Sequence, residues 1–374
     1  MIQPKAFIEA LAQGGVDFFA GVPDSLLKNL CAYITDNVPR EKNIIAANEG
    51  NAVGLAAGYH LATGKVGCVY MQNSGEGNIV NPLLSLVDED VYHIPMLLVI
   101  GWRGEPGVHD EPQHKKQGKV TLSLLETMGV PYAVLDENWE SQTDEALRVI
   151  RETNGIYALI VRKGTYEEYT LQNQVASNWA LGREEAIKIV VDKLRDDDIV
   201  VSTTGMISRE LFEYREAKQQ GHGADFMTVG SMGHASQIAL GIALQKPKRR
   251  VFVFDGDGAL LMHMGGMAII GDYCPKNLVH VVFNNGAHDS VGGQPTVGQK
   301  IDIEAIAKAV GYTDVVSVDN EMALCCAMNH INNADMEGTS LINVNVRKGN
   351  RKDLGRPTTT PIQNKEAFMQ NLKK

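Results

Sequence analysis

Residues 251–261, VFVFDGDGALL, are the most informative segment of the chain for its fold. Its leading apolar residues predict a strand that is buried on both faces, and the glycines after them predict a tight turn that carries one carboxylate, Asp257. Such a turn could be taken for a dinucleotide-binding fingerprint, but Leu261 stands where a third glycine would let helix and strand pack closely. The chain has no GxxxxGK[ST] element either. Nicotinamide-binding and P-loop functions are therefore disfavoured.

A second apolar strand, predicted at Val279–Phe283, ends in the residues Asn284-Asn285-Gly286. The 25 residues from Ala259 to Phe283 have room for one helix and this strand, so the two strands are expected in one parallel sheet. Because the carboxyl ends of parallel strands meet at one edge, Asp257 and Asn285 should lie close together. Carboxylate, amide and carbonyl oxygens suit Mg²⁺, which usually shares its coordination shell with phosphate groups. The pair therefore predicts a magnesium and phosphate site.

Short β-branched runs alternate with longer helical patterns along the whole chain. This alternation predicts an α/β fold whose parallel sheets are covered by helices on both faces. Strands are predicted at residues 66–71, 96–100, 157–161, 199–202, 251–254, 279–283 and 341–346. Helices are predicted at residues 24–36 (with Asp24 or Ser25 as the cap), 51–62, 183–195, 235–243, 303–310 and 321–331.

Two distant parts of the chain end in the same way. A predicted strand runs into Val-Arg-Lys-Gly at residues 161–164 and again at 346–349. The match suggests two halves of related architecture, although four residues can also recur by chance. A polar stretch without helical or strand periodicity, near residues 165–182, separates the halves. We therefore predict two doubly wound parallel-sheet domains, at residues 1–170 and 183–350, with a linker at 171–182 and a tail at 351–374.

Composition excludes several classes of protein. The chain has 374 residues, 44% of them hydrophobic and 21% charged, and a formal net charge of -10, which is ordinary for a globular protein. The acidic balance disfavours nucleic-acid or membrane partners. Five scattered cysteines without CxxC spacing argue against a disulfide framework or a structural zinc site. The N-terminus lacks the apolar run of a signal peptide, so a cytoplasmic location is expected.

The GDG turn and the Asn pair together resemble the diphosphate-binding motif of thiamine diphosphate enzymes. Three further segments match that family's pattern in the same order: ANEGNAVGLAAGY at 47–59, STTGM at 202–206 and TVGSMGH at 228–234. The resemblance implies thiamine diphosphate and Mg²⁺ as cofactors, and a pyrimidine-binding domain followed by a diphosphate-binding domain. It also implies a homodimer or higher homo-oligomer with active sites between subunits.

The resemblance assigns a role to each matching residue. Glu49 would activate the cofactor by pairing with its aminopyrimidine ring, which is acid–base work for a carboxyl group in a low-dielectric site. A structural explanation of Glu49 is charge compensation at a helix N-terminus. Met232 would support the bent cofactor, with the Gly230 carbonyl as a partner of its amino group. The metal ligands would be Asp257, Asn285 and the Ala287 carbonyl, and the other cofactor contacts Thr204, Gly205, Gly256, Gly258 and Ala259.

A loop after the strand predicted at 96–100 concentrates cations in an otherwise acidic chain. Arg103, His109, His114, Lys115 and Lys116 fall within 14 residues. Such a cluster suits a small anion with more than one negative group, and the alternative is a solvated surface loop. The candidates for catalysis or proton delivery to a cofactor-bound enamine are Asp24, His109 and His114, and those for substrate binding are Ser25, Arg103, Asp110, Gln113 and Lys116.

The segments at residues 21–25, 103–114 and 353–357 resemble the phosphonopyruvate decarboxylase family. That family converts the 2-oxo acid 3-phosphonopyruvate to phosphonoacetaldehyde and CO₂ in phosphonate biosynthesis. Sulfopyruvate decarboxylases, often split over two shorter chains, act on a similar tetrahedral anion and stay open as an alternative. Carboligases of the same superfamily and a non-enzymatic cofactor-binding subunit also stay open. The single fused chain and the terminal motif favour the phosphonate.

Overall fold

The computed structural model describes residues 1–173 and 177–373 and divides into two compact units. One unit comprises Met1–Gln174 with Ser290–Gln294, and the other Val175–Asp289 with Pro295–Lys374. Part of the predicted linker at 171–182, residues 174–176, lies outside the described residues. The predicted domain boundaries stay a prediction.

The first unit is a six-stranded parallel sheet with helices between the strands. Its strands are β1 (Phe18–Gly21), β2 (Asn43–Ile45), β3 (Gly67–Gln72), β4 (Met96–Gly101), β5 (Tyr132–Val134) and β6 (Ile156–Val161). Its helices are α1 (Pro4–Gln13), α2 (Lys28–Asn37), α3 (Glu49–Thr63), α4 (Glu76–Pro82), α5 (His114–Thr127) and α6 (Trp139–Thr153). The strand order is β2-β1-β3-β4-β6-β5.

The second unit has the same kind of sheet. Its strands are β7 (Ile199–Ser202), β8 (Asp225–Met227), β9 (Val251–Gly256), β10 (Leu278–Asn284), β11 (Asp314–Val318) and β12 (Ser340–Asn345). Its helices are α7 (Arg183–Asp192), α8 (Met206–Ala217), α9 (Ala235–Gln245), α10 (Asp257–Met262), α11 (Gly265–Tyr273), α12 (Ile303–Ala309), α13 (Glu321–Asn333) and α14 (Pro361–Asn371). The strand order is β11-β12-β10-β9-β7-β8, and the predicted α/β class is confirmed.

The two units share one topology. Numbered from the first strand of each unit, both sheets have the order 2-1-3-4-6-5. The two Val-Arg-Lys-Gly segments occupy equivalent places, directly after the sixth strands β6 and β12. In both units the residues before the first helix also pair with the segment after the sixth strand, through the bridges Ile2–Tyr166 and Gly182–Arg347. The predicted internal relationship is confirmed.

Strand β9, at the start of the segment 251–261, is buried on both faces, as predicted. Phe252 and Phe254 of β9 belong to the apolar cluster under α7, α8 and α13, whereas Val251 and Val253 belong to the cluster under α9, α11 and α12. Phe254 meets Phe283 of β10 edge to face, with ring centroids 5.5 Å apart. Alternation of large and small side chains therefore fills two cores from one strand.

The strands that the sequence did not predict are β1, β2, β5, β8 and β11. All except β1 lie at the edges of the two sheets. An edge strand pairs on one side only and is partly exposed, so it lacks the continuous apolar run by which the central strands were found. Among the helices of the described residues, none is both long and apolar enough to cross a membrane.

Candidate active site

Four loops of the second unit carry the predicted cofactor motifs, and the sheet brings them to one edge. Thr204 and Gly205 follow β7, Gly230 and Met232 follow β8, the Gly256–Ala259 turn joins β9 to α10, and Asn285 follows β10. These four strands are neighbours in the order β10-β9-β7-β8. Because all of them are parallel, their carboxyl ends lie along one edge of the sheet, where ligands of open α/β sheets usually bind.

Asp257 is the first residue of α10, and its side chain is buried. The Thr296 hydroxyl donates a hydrogen bond to its Oδ2. Burial raises the pKa of Asp257 to about 6, because the carboxylate loses its hydration. A Cβ on Gly298 would lie 2.6 Å from Asp257 Oδ2 and 2.8 Å from Asn284 Oδ1. Both oxygens therefore face the Gly298 backbone at close range.

The Asn pair differs in how its two amides are bonded. Asn284 Nδ2 donates to the Gly298 carbonyl at 2.8 Å, while its buried Oδ1 receives no hydrogen bond from any described residue. Asn285 Nδ2 donates to Asp289 Oδ2 at 2.7 Å, and its Oδ1 accepts from the Ala287 N–H at 3.0 Å. The Ala287 carbonyl, the third predicted ligand, thus belongs to the turn that Asn285 stabilises.

These groups fit a magnesium ion. They supply one carboxylate, amide oxygens and a backbone carbonyl, which is a hard oxygen donor set. A cation there would satisfy both the buried carboxylate of Asp257 and the unpartnered Oδ1 of Asn284. In the described part of the chain, no group of three or more His, Cys, Asp or Glu side chains could hold a metal, so the fit at Asp257 depends on amide and carbonyl oxygens.

Gly258 lies between the side chains of Met232 and His288, and its lack of a side chain leaves open space there. A Cβ at this position would lie 3.4 Å from Met232 Cε and 3.1 Å from His288 Cε1. Met232, predicted to support the cofactor, is therefore a neighbour of the predicted diphosphate turn. Burial lowers the pKa of His288 to about 4, so its imidazole is neutral at neutral pH. The geometry fits a diphosphate group that approaches the backbone closely, as glycine permits.

The loops after β7 and β8 are tied to each other. The Thr204 hydroxyl donates to the Val229 carbonyl at 2.8 Å, next to Gly230. Gly205, the residue directly before α8, has φ of +102°, a backbone conformation that other residues rarely adopt. Ala259 is buried, whereas Gly256 and Gly258 are half-buried at the rim. The roles of these residues stay predictions.

Glu49 lies in the first unit as the first residue of α3, with Asn48 as the helix cap. Its side chain is buried, and Oε2 accepts a hydrogen bond from Asn78 Nδ2 at 2.7 Å. A Cβ on Gly75 would lie 2.4 Å from Glu49 Oε1, so the loop after β3 packs directly on the carboxyl group. A carboxylate placed only to compensate a helix N-terminus would need no such enclosure.

Arg103 organises the candidate substrate residues of the first unit. Its Nε and Nη2 donate to the two oxygens of Asp110, and its Nη1 donates to Ser25 Oγ at 2.7 Å. Burial opposes ionisation of Asp110, but the Arg103 hydrogen bonds hold the pKa of that carboxyl well below its usual range. The charge of Arg103 is therefore already paired within the chain.

Asp24 is fully buried beside this cluster, and burial raises its pKa to about 6. Its Oδ2 accepts from the backbone N–H groups of Leu26 and Leu27, at 2.9 and 3.3 Å. The prediction of a helix from Asp24 is wrong at this end, because these bonds form a turn and α2 begins at Lys28.

The other candidates near Arg103 divide into buried and exposed residues. His114 is buried at the start of α5, where burial and Arg103 lower its pKa, and Gln113 Nε2 lies 3.3 Å from His114 Nε2. His109 and Lys116 are exposed. The structure thus places Asp24, Ser25, Asp110 and His114 around Arg103 and leaves the two exposed residues at the surface. Their roles stay predictions.

Sequence reasoning missed several residues of both sites. Thr296 and Gly298 close over Asp257 from an irregular segment that follows the Asn pair, and no periodic pattern marks them. In the first unit, Asn73 Nδ2 donates to the Arg103 carbonyl and to Thr121 Oγ1, and Asn78 holds Glu49. The signal that could have found this pair is NSGEGN, residues 73–78, a glycine- and asparagine-rich turn directly after a predicted strand.

Comparison with known protein families shows the family of the chain. The N-terminal TPP binding domain of thiamine pyrophosphate enzymes matches residues 4–124, and their C-terminal TPP binding domain matches residues 203–344. The chain belongs to the thiamine pyrophosphate enzymes. The predicted resemblance is confirmed, and with it thiamine diphosphate as the ligand of both matched domains.

Three curated relatives match nearly the whole chain. The phosphonopyruvate decarboxylase of Streptomyces viridochromogenes is 34% identical over 97% of this chain and 93% of its own length, and that of Streptomyces hygroscopicus is 35% identical over 96% and 92%. The sulfopyruvate decarboxylase of Methanosarcina acetivorans is 30% identical over 92% of this chain and 91% of its own. That relative is also a single chain, so the presence of both domains in one chain does not distinguish a phosphonopyruvate from a sulfopyruvate decarboxylase. The phosphonate is favoured because identity to the two phosphonopyruvate decarboxylases is higher than to the sulfopyruvate decarboxylase.

Proposed function

We propose that the chain is a carboxy-lyase that converts 3-phosphonopyruvate to phosphonoacetaldehyde and CO₂ in phosphonate biosynthesis. The observation that carries this proposal is similarity to two phosphonopyruvate decarboxylases over 96–97% of the chain. Sulfopyruvate decarboxylation is the second candidate, because a relative of that name matches over 92%.

Bound thiamine diphosphate would accept the electron pair that the departing CO₂ leaves behind, which no side chain can do. The residues of the chain would hold and orient that group. Asp257, Asn285 and the Ala287 carbonyl would bind Mg²⁺, and Gly258 would let the diphosphate approach the turn. Met232, beside Gly258, would support the cofactor.

Glu49 would perform the proton transfer that activates the cofactor. Asn78 donates to Oε2 and fixes the carboxyl group, which leaves Oε1 to hold a proton and return it. Enclosure by the loop after β3 keeps water away from this carboxyl group. A positioned acid–base group of this kind typically accelerates a reaction by about 10²–10⁴-fold.

Magnesium dependence, assembly and location are part of the same proposal. The oxygen donor set at Asp257 supports Mg²⁺ as the metal. Family resemblance supports a homodimer or higher homo-oligomer in which Glu49 of one subunit and Asp257 of another serve one cofactor. All five cysteines are free thiols, which supports a reducing compartment such as the cytoplasm.

The product identifies the reaction class. The purified chain is incubated with phosphonopyruvate, thiamine diphosphate and Mg²⁺, and the phosphorus signal is followed by ³¹P NMR with and without an added aldehyde. Phosphonoacetaldehyde should form at the same rate in both samples, and only when the cofactor is present. A carboligated product in place of phosphonoacetaldehyde would instead establish a synthase.

A further inference from the structure

The side-chain amide of Asn285 donates a hydrogen bond to Asp289, which belongs to a buried network of charged side chains. We propose that Asp289 and Arg183 are positioning residues that orient the amide of Asn285 and thereby set the affinity for the metal ion. This inference rests on the proposed cofactor site, since Asn285 is a proposed ligand there. It concerns residues that lie outside the family motifs described above.

Asp289 is the centre of the network. Its Oδ2 accepts from Asn285 Nδ2 at 2.7 Å, from the Gly349 N–H at 2.9 Å and from Arg183 Nη1 at 3.3 Å. Gly349 ends the second Val-Arg-Lys-Gly segment and has φ of +95°, a backbone conformation that favours glycine. Three donors from different parts of the second unit therefore fix the position of one oxygen.

The carboxylate decides which way round the Asn285 amide lies. The two ends of an amide have nearly the same shape but differ in hydrogen bonding, because nitrogen donates and oxygen accepts. Asp289 can only accept, so Nδ2 must face it and Oδ1 must face the opposite side. There Oδ1 accepts from the Ala287 N–H, in the turn that also carries the proposed ligand carbonyl of Ala287. A reversed amide would set two acceptors against each other.

Arg183 anchors the carboxylate in turn. Its Nε and Nη2 donate to both oxygens of Glu210 at 2.8 and 2.9 Å, and its Nη1 reaches Asp289. The side chains of Arg183, Glu210 and Asp289 are only 5%, 1% and 9% exposed. Two carboxylates facing one guanidinium leave a net negative charge behind Asn285, which favours a nearby cation. Because replacing a whole buried ion network by apolar residues often leaves stability unchanged, positioning explains the presence of this network better than stability does.

The test measures metal-dependent cofactor binding in the full chain. Thiamine diphosphate binding is followed by calorimetry at increasing Mg²⁺ concentrations for the wild type and for Asp289→Asn, and melting temperatures are recorded for both. We expect the Mg²⁺ concentration at half-saturation to rise at least about tenfold in the variant, as is usual when the partner of a metal ligand is removed. High Mg²⁺ should restore binding.

Asp225→Asn is the matched control. Asp225 is another buried carboxylate of the second unit, bound by Arg215 through Nη2 at 2.9 Å and Nε at 3.0 Å. The Asp225→Asn variant should be less stable than the wild type, but its cofactor binding should depend on Mg²⁺ as in the wild type. If Asp289→Asn does not fold, Asp289→Glu retains the charge and displaces the carboxylate, and the same rise in the required Mg²⁺ is expected.

Wild-type Mg²⁺ dependence in a folded Asp289 variant would overturn the inference while leaving the proposed function intact. A change equal to that of Asp225→Asn would also overturn it, since general destabilisation would then account for the effect. Absence of Mg²⁺-dependent cofactor binding in the wild type would instead overturn the proposed metal site itself.

Discussion

Buried carboxyl groups carry most of the chemistry proposed for this chain. Burial raises the pKa of Asp24 and of Asp257 to about 6 and that of Glu76 to about 8. For Asp257, a bound cation would offset the free-energy cost of burying the ionised carboxylate. The sequence could place Asp257 and Glu49 through their motifs, and the NSGEGN turn could have indicated Asn78. It could not show Thr296, because a hydrogen bond between distant segments leaves no local pattern.

Glu49→Gln tests the proposed acid–base group. We expect the variant to fold normally and to lose about 100-fold or more of its turnover, because glutamine cannot transfer a proton. Turnover of phosphonopyruvate and melting temperature are measured together. Glu140→Gln is the control, since Glu140 is exposed in the first turn of α6 and should change neither. Equal turnover in the two variants would leave only a helix-compensating role for Glu49.

Glu76 predicts a pH dependence of stability. It is buried, and its pKa rises to about 8 in the folded chain from an ordinary value of 4.5. Between these values the folded chain keeps a proton that the unfolded chain releases. Protonated Glu76 therefore makes its full contribution to the free energy of unfolding below pH 4.5. This contribution is lost as the pH rises through 8.

Glu76→Gln removes this dependence, because glutamine stays neutral at every pH. We expect the variant to gain stability relative to the wild type as the pH rises, on the order of 3 kcal/mol by about pH 8. Urea unfolding from about pH 5 to about pH 9 measures the difference. A difference that stays constant over this range would show that Glu76 does not titrate as described.

Elements differed in how well the sequence predicted them. The central strands β3, β4, β6, β7, β9, β10 and β12 were predicted because both of their faces are buried and their apolar runs are continuous. The edge strands were not, since one edge is free and their composition is mixed. For the same reason the site could be predicted where it follows central strands, at Asp257 and Asn285, and not in the irregular segment around Gly298.

Gly298, in that irregular segment, packs closely against the proposed metal site. Gly298→Ala would place a Cβ within 2.6 Å of Asp257 and 2.8 Å of Asn284. We expect it to lower the free energy of unfolding by about 1–3 kcal/mol and to weaken Mg²⁺-dependent cofactor binding. Gly241→Ala in α9 has open space around it and should stabilise by about 0.5–1 kcal/mol without changing binding. Unchanged cofactor binding in Gly298→Ala would show that the segment does not shape the site.

The molecule as a whole is a duplicated α/β unit. The Val-Arg-Lys-Gly repeat predicted this from four residues, and the equal strand orders and equivalent bridges confirm it. The formal net charge of -10 gave no indication of the site. Arg103, the half-buried cation of the candidate substrate cluster, is bound by Asp110, so any anion must compete with an internal partner.

Mixed subunits test the proposed assembly. Glu49→Gln and Asp257→Ala chains are co-expressed with different affinity tags, and dimers that carry both tags are isolated. If Glu49 and Asp257 of different subunits serve one cofactor, each mixed dimer has one intact site and about half of the wild-type turnover. If both residues of one chain serve the same cofactor, the mixed dimer should be inactive. Failure to recover any doubly tagged protein would show that the chain is not an oligomer.

The central claim is that this thiamine pyrophosphate enzyme decarboxylates phosphonopyruvate. The most direct measurement is kcat/KM for CO₂ release from phosphonopyruvate, sulfopyruvate and pyruvate, each with thiamine diphosphate and Mg²⁺. We predict that kcat/KM for phosphonopyruvate exceeds the other two values by at least about tenfold. A higher kcat/KM for sulfopyruvate, or no CO₂ release from phosphonopyruvate, would contradict the claim.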